Sequence, residues 1–144
     1  MNTITEQTAT APTGKVAKPV TLEKARELLR QAVDAQGEDF VYNPSGADQC
    51  AYRPLTPERD HVKPDDPRAK TGCVVGEALV LAGETRHLDS VSNPMGLHSQ
   101  YPDMLTWDAA YYFWEAQRVQ DRGGSWGAAF EVAERSAGWS NAAS

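Results

Sequence analysis

Placed at 100° per residue, Leu22, Ala25, Leu28, Leu29, Ala32 and Val33 fall on one face of a helix, and Glu23, Glu27, Arg30 and Asp34 fall opposite. Thr21 is a good N-cap for that helix and Gly37 its natural stop. Two short aromatic and β-branched stretches follow, Asp39-Phe40-Val41-Tyr42 and Gln49-Cys50-Ala51-Tyr52-Arg53, around a loop rich in turn formers. Their spacing predicts a two-stranded β-hairpin, which is marginal alone and must lie on the helices. From Gly72 to Ala82 the chain is apolar on every side except at Glu77, which predicts a buried helix that Gly83 ends and where Gly76 permits close approach of a neighbour. Thr106 caps a run from Trp107 to Val119, and Gly123-Gly124 ends it. Ser125 caps a last helix, Trp126 to Ala137, with Trp126, Ala129, Phe130, Val132, Ala133 and Ala137 on one face and Glu131, Glu134 and Arg135 on the other. A two-glycine connection makes these last two helices an antiparallel pair.

Between these elements, residues 54–71 hold four prolines and mixed charge, and an irregular loop of that length is usually either functional or disordered. Residues 84–103 are punctuated by Asn-Pro and Gly and read as a second irregular connection. The first twenty residues carry five threonines and almost no large apolar groups, so burial does not repay their ordering entropy. The expected organisation is a Thr-rich arm over 1–20, one globular domain over 21–138, and a tail over 139–144. The fold class expected is α+β and predominantly helical, about four helices packed with one two-stranded β-hairpin. Its core would combine Leu28, Leu29, Phe40, Val75, Leu79, Phe113, Phe130 and Val132.

The chain has 144 residues, 40% of them hydrophobic and 24% charged, with a net charge of -6. That balance suits one folded domain and argues against nucleic acid as a partner, since gripping phosphates requires clustered Lys and Arg. No apolar run approaches the ~20 residues that span a bilayer, so no membrane partner is expected. Two cysteines, Cys50 and Cys73, imply no disulfide framework, and the cytoplasm is the simplest setting.

Candidate chemistry concentrates on the aromatic helix. Trp107, Tyr111 and Trp114 form one stripe beside Arg118, while Tyr112, Phe113, Ala109 and Ala116 form a second apolar region on roughly the opposite side. Such a helix is either sandwiched in the core or presents one side to another molecule. Trp, Tyr and Arg are the side chains that dominate protein interfaces. The reading that follows assigns Trp107, Tyr111, Trp114 and Arg118 as anchors for a protein partner, with Arg59, His61 and Lys63 from the 54–71 loop as a polar rim. The alternative is a small enzyme or ligand pocket around Cys73, Glu77 and a histidine. Cys73 begins a helix, where the dipole lowers a thiol pKa, but no catalytic signature surrounds it. Glu77 would sit at a rim or pair with Arg53 or Arg118. The spacing of Cys50, His61, Cys73, His87 and His98 lacks the close pairing of metal ligands, and no phosphate loop, Gly-x-Ser-x-Gly or His-Glu-x-x-His is present. No catalytic, metal or cofactor residue is assigned, and the balance points away from an enzyme.

The Phe40-Val41-Tyr42 and Cys50-Ala51-Tyr52 pair, the run from Gly72 to Leu79, and the stretch from Gln117 to Ala129 that contains Gly123-Gly124-Ser125-Trp126-Gly127 together resemble small uncharacterised proteins of actinobacteria and their tailed phages. The excess of Arg and Ala over Lys and Ile agrees with a high-GC genome. That group brings no activity, cofactor or catalytic residue to transfer. The resemblance implies a context, an accessory phage gene product acting inside a bacterial host. Joined to the aromatic helix, the acidic balance, the charged loop and the lack of catalytic signatures, it gives the expectation of a non-catalytic protein that binds and modulates a host protein in the host cytoplasm, for host takeover or counter-defence.

Overall fold

The computed structural model describes residues 19–43, 51–84 and 93–143, with side chains as far as Gly138. Helix α1 spans Leu22–Gln36, with the Thr21 hydroxyl accepting the N–H of Lys24, and buries Ala25, Leu28, Leu29, Ala32 and Val33. The 54–71 connection contains two single helical turns, α2 (Pro57–Asp60) and α3 (Pro67–Lys70), each begun by its proline. Pro fixes φ and lacks the N–H that a first helical residue leaves unpaired, which is why it starts these turns. A hydrogen bond from Leu55 N to Arg68 O and the Arg68–Asp66 pair at 2.9 Å close the connection on itself. Helix α4 is Val74–Leu81, α6 is Trp107–Asp121 and α7 is Trp126–Ala143. The 84–103 stretch is not wholly irregular. It holds α5, Pro94–Gln100, with Asn93 as N-cap and Pro94 at the first position, so the Asn-Pro read as a loop signal is a helix start.

The expected β-hairpin is absent, and the α+β class gives way to an all-helical arrangement among the described residues. Val41 makes an isolated antiparallel bridge with Ser125, and Val20 a parallel one with Leu105. The backbone of 38–41 is committed elsewhere. The first N–H groups of a helix lack intrahelical acceptors, and the carbonyls of Phe40 and Glu38 take those of Trp126 and Gly127. The Ser125 hydroxyl takes the next, from Ala128. The two stretches meant to pair still meet, but through a side chain: the Tyr42 hydroxyl donates to Ala51 O and accepts from Ala51 N. Gln49, Cys50 and the loop before them lie outside the described residues, as do residues 1–18 of the arm. Val20, read as the end of that arm, is buried, with its N–H on Met104 O and its carbonyl accepting from Thr106 N.

Helix α6 is the axis of the molecule: α7 packs along it most extensively, and α1, α4 and α5 pack around it. Leu28, Leu29, Val75, Leu79 and Phe113 are core, as their periodicity predicts. Phe40 and Phe130 are only partly buried, Val132 is half-buried, and the largest fully buried groups are Trp126, Tyr42, Tyr52 and Tyr112. Gly76 earns its place by proximity, because a Cβ there would lie 2.6 Å from the Tyr52 Cα and closer still to its carbonyl oxygen. One buried amide ties three helices together. The Gln120 side-chain oxygen accepts from Val74 N at 2.7 Å and from the Trp126 indole N–H at 3.0 Å, and its NH2 donates to Asp121 at 3.0 Å.

Each donor left without an acceptor in the interior costs about 1–3 kcal/mol. Gln120→Ala is therefore expected to lower the unfolding free energy by about 3 kcal/mol, measured by urea denaturation, by stranding the Val74 and Trp126 donors together.

Candidate functional site

Helix α6 puts its two aromatic regions in different environments. Tyr112 and Phe113 are buried, whereas Trp107 is 57% exposed and Tyr111 and Trp114 are half-buried. Thr106 caps the helix through Ala109 N, and Asp108 accepts from the same N–H and from the Thr106 hydroxyl at 2.6 Å, which fixes the first turn under Trp107. Positions 107, 111, 114 and 118 then follow one another along the helix surface. The Trp107 and Tyr111 rings stack at 5.6 Å with 5° between their planes, Tyr111 and Trp114 lie 5.8 Å apart at 43°, and the Arg118 guanidinium covers Trp114 at 4.9 Å. Arg118 is held in turn by Glu115 at 2.8 Å, a carboxylate that is nearly buried. The same carboxylate, to which the Tyr111 hydroxyl is directed, raises the Tyr111 pKa and keeps the phenol protonated. Leu22, Ser136 and Ala137 bound a dimple of about 20 Å³ beside Trp107 and Tyr111. The result is an ordered strip of aromatic faces ending in a cation, set on a helix whose other side is core.

Arg59, His61 and Lys63 belong to the α2 turn and the chain just after it. Arg59 pairs with Asp60 at 3.2 Å on the α2 turn. His61 closes that turn in the left-handed conformation, at φ 56°, and Lys63 is exposed beyond it. Among the described residues no hydrogen bond, ion pair or ring contact joins any of the three to Trp107, Tyr111, Trp114 or Arg118. Asp60 anchors the turn by accepting from Thr56 N, and that bond, followed by the one from Arg59, lowers its pKa.

The thiol chemistry considered for Cys73 is overturned. Cys73 is fully buried and disulfide-bonded, its sulfur accepts the N–H of Gly76, and Cys50 is the one other cysteine in the sequence. A disulfide sulfur is no nucleophile, and the pairing removes the argument for a reducing compartment from two unpaired cysteines. Glu77 pairs with neither Arg53 nor Arg118. Its carboxylate accepts from Gly72 N at 3.0 Å, while Arg53 binds the Glu84 carbonyl. His98 contacts the Leu105 carbonyl at 2.9 Å, and His87 lies outside the described residues. Among the described residues no group of three or more His, Cys, Asp or Glu side chains is arranged to hold a metal ion.

Sequence reasoning missed a polar triad behind the strip. Tyr112 donates to Glu134 at 2.6 Å, and Arg26 grips the same carboxylate through two bonds, 3.0 and 2.8 Å, joining α6, α7 and α1. The i,i+4 pattern of each helix carries no sign of it, since the partners are 22 and 108 residues apart. The Arg26 hydrogen bond holds the Glu134 carboxyl below the ordinary carboxylate range, with Tyr112 adding to it against the cost of burial. Burial, then the Glu134 carboxylate, pushes the Tyr112 phenol well above its ordinary pKa.

No known protein family matches the chain, and neither a curated protein nor a solved structure does.

Two outcomes follow from this geometry. Glu134 contributes stability that is complete above the ordinary carboxyl pKa and is lost as pH falls through its lower folded value; Tyr112 contributes stability complete below about pH 10 that is lost above it. Thermal melts from pH 3 to 11 should show both limbs, with Glu134→Gln flattening the acid one and Tyr112→Phe the alkaline one. The unreduced protein should show no reactive thiol in a denaturing titration. Reduction, or Cys73→Ser, should cost about 2–4 kcal/mol in stability.

Proposed function

We propose that this protein is a non-catalytic binding protein whose contact surface for another protein is the Trp107–Tyr111–Trp114–Arg118 strip of α6. The observation that supports the reading is the exposure of that strip: a Trp more than half open to solvent, in line with two further aromatic rings and a stacked guanidinium. Exposed Trp costs solvation without aiding the core, and rigid aromatic side chains lose little entropy when a partner covers them. The internal stacking holds the rings in place before contact, which lowers the ordering cost of association. Among the described residues, Arg59, His61 and Lys63 make no direct contact with the strip, and the four anchors alone carry the proposal.

The partner is a protein with an apolar patch able to cover three rings and an acceptor for Arg118. The host-modulating, phage-encoded setting implied by the resemblance belongs to this proposal and rests on that resemblance alone. No described helix is long and apolar enough to cross a membrane.

The test is affinity capture from a bacterial lysate with the tagged wild-type chain beside a Trp107→Ala/Trp114→Ala variant. A stoichiometric protein held by the wild type should lose at least ~2 kcal/mol of binding to the variant. Trp107→Ala alone should change unfolding by no more than about 0.5 kcal/mol. If the double variant instead loses its cooperative melt, the strip is part of the core and the surface falls.

A further inference from the structure

A second surface lies along α1 and α7, the helices that also bound the dimple beside Trp107 and Tyr111. Helices α1 and α7 run antiparallel, as the Arg26–Glu134 pair, the Arg30–Phe130 contact and the Gly127 N–H on the Glu38 carbonyl show in order along them. Both pack on α6 and touch each other less closely than α7 touches α6. That divergence leaves a groove of about 510 Å³ bounded by Glu23, Glu27 and Gln31 of α1 and by Phe130 and Glu134 of α7. A hollow of about 200 Å³ continues it past Val33, Asp34 and Glu38. Phe130 lies between the two and lines both, and the Arg30 guanidinium rests over its ring at 5.5 Å.

The groove holds one partly exposed ring, Phe130, beneath the Arg30 guanidinium, and its walls are acidic. Its lining holds six carboxylates, of Glu23, Glu27, Asp34, Glu38, Glu131 and Glu134, against two guanidiniums, a net of -4 in a chain of net -6. Arg26 is committed to Glu134 in a two-bond pair. The other pairings at the rim are loose: Lys24–Glu27 at 3.5 Å, Arg30–Asp34 at 3.8 Å and Arg135–Glu131 at 3.8 Å, all between exposed side chains. Exposed pairs of this kind contribute about 0.3–0.5 kcal/mol each, so an incoming cation displaces them at little cost.

We propose that this groove is a docking site for a basic amphipathic helix of a partner protein. The 15 residues of α1 give the groove a length of about 22 Å, the span of a partner helix of about four turns. Two antiparallel helices present ridges that a further helix packs between, and an apolar face laid on the Phe130 ring with Lys or Arg on both flanks meets carboxylates on both walls. Arg30 is displaced from the Phe130 ring in the complex. The site shares no residue with the aromatic strip, and the two surfaces together make the protein an adaptor between two partners.

The probe is a fluorescein-labelled peptide of about 15 residues, Lys and Leu at helical spacing, titrated into the full chain at low salt and followed by anisotropy. Its control is the same pattern with Glu in place of Lys. The Lys peptide is expected to bind and the Glu peptide not to, with amide shifts confined to α1 and the first half of α7. Glu27→Lys/Glu131→Lys, at two exposed positions, is expected to weaken binding about tenfold or more with an unchanged melt. Glu58→Lys, on the α2 turn away from the groove, is expected to leave it within about twofold. Equal binding of the Glu peptide overturns the proposal. So does equal weakening by Glu58→Lys, which reduces the effect to net charge, and so do amide shifts centred on Trp107 and Trp114, which assign the peptide to the aromatic strip.

Discussion

The side chain of Gln120 is the point through which the fold is held in register. Its oxygen faces the first backbone N–H of α4 and the indole of Trp126, the residue that opens α7, while the amide itself belongs to the last turn of α6. Three chain segments that share no local sequence thereby have one acceptor in common, in a site from which water is excluded. A hydrogen bond made in such surroundings is stronger than in water, and its absence is correspondingly severe. The packing of Tyr52 against Gly76, and of Phe40 edge-on against Trp126 at 4.9 Å, depends on the starts of α4 and α7 being where that amide puts them.

With those starts fixed, the faces of α6 divide the work. Its Tyr112 and Phe113 side is enclosed by α7 and α1, and the Tyr112–Glu134–Arg26 triad sets how those three helices meet. Its Trp107, Tyr111 and Trp114 side is left in partial contact with solvent, ordered by ring stacking and by Arg118. The helix that forms the core is thus also the rigid support of the proposed contact surface. The consequence is that surface and interior lie on one narrow cylinder, where a one-residue shift of α6 rotates every side chain by about 100° and turns part of the strip toward the core.

Much of the helical layout was legible in the sequence. The six-residue apolar stripe of α1, its Thr21 cap, the uniform hydrophobicity of α4 and the caps at Thr106 and Ser125 are local signals, and local signals suffice where propensity and packing agree. The failures have a common cause. Phe40-Val41-Tyr42 has strand composition, but its carbonyls were claimed by α7, whose demand arises some 85 residues away, a distance no local window covers. Asn93-Pro94 was read as punctuation when the same two residues are a cap and a first turn. Val20 looked like arm because a single valine has no period. The aromatic strip was visible as a pattern on α6, whereas the helical turn that holds Arg59 and ends at His61 was not, because a four-residue turn has no period. The bonded state of Cys73 needed a tertiary contact as well.

The way α7 begins has a kinetic meaning. Its first two N–H groups close on Phe40 and Glu38, so the costly nucleation of that helix is completed by chain from the far end of α1 rather than by its own neighbours. A long intervening loop must be closed before those bonds form, and the entropy of that closure falls on the folding barrier. The α6–α7 hairpin, local in sequence, is therefore not self-sufficient: the first turn of α7 has its acceptors only when the chain that follows α1 is in place.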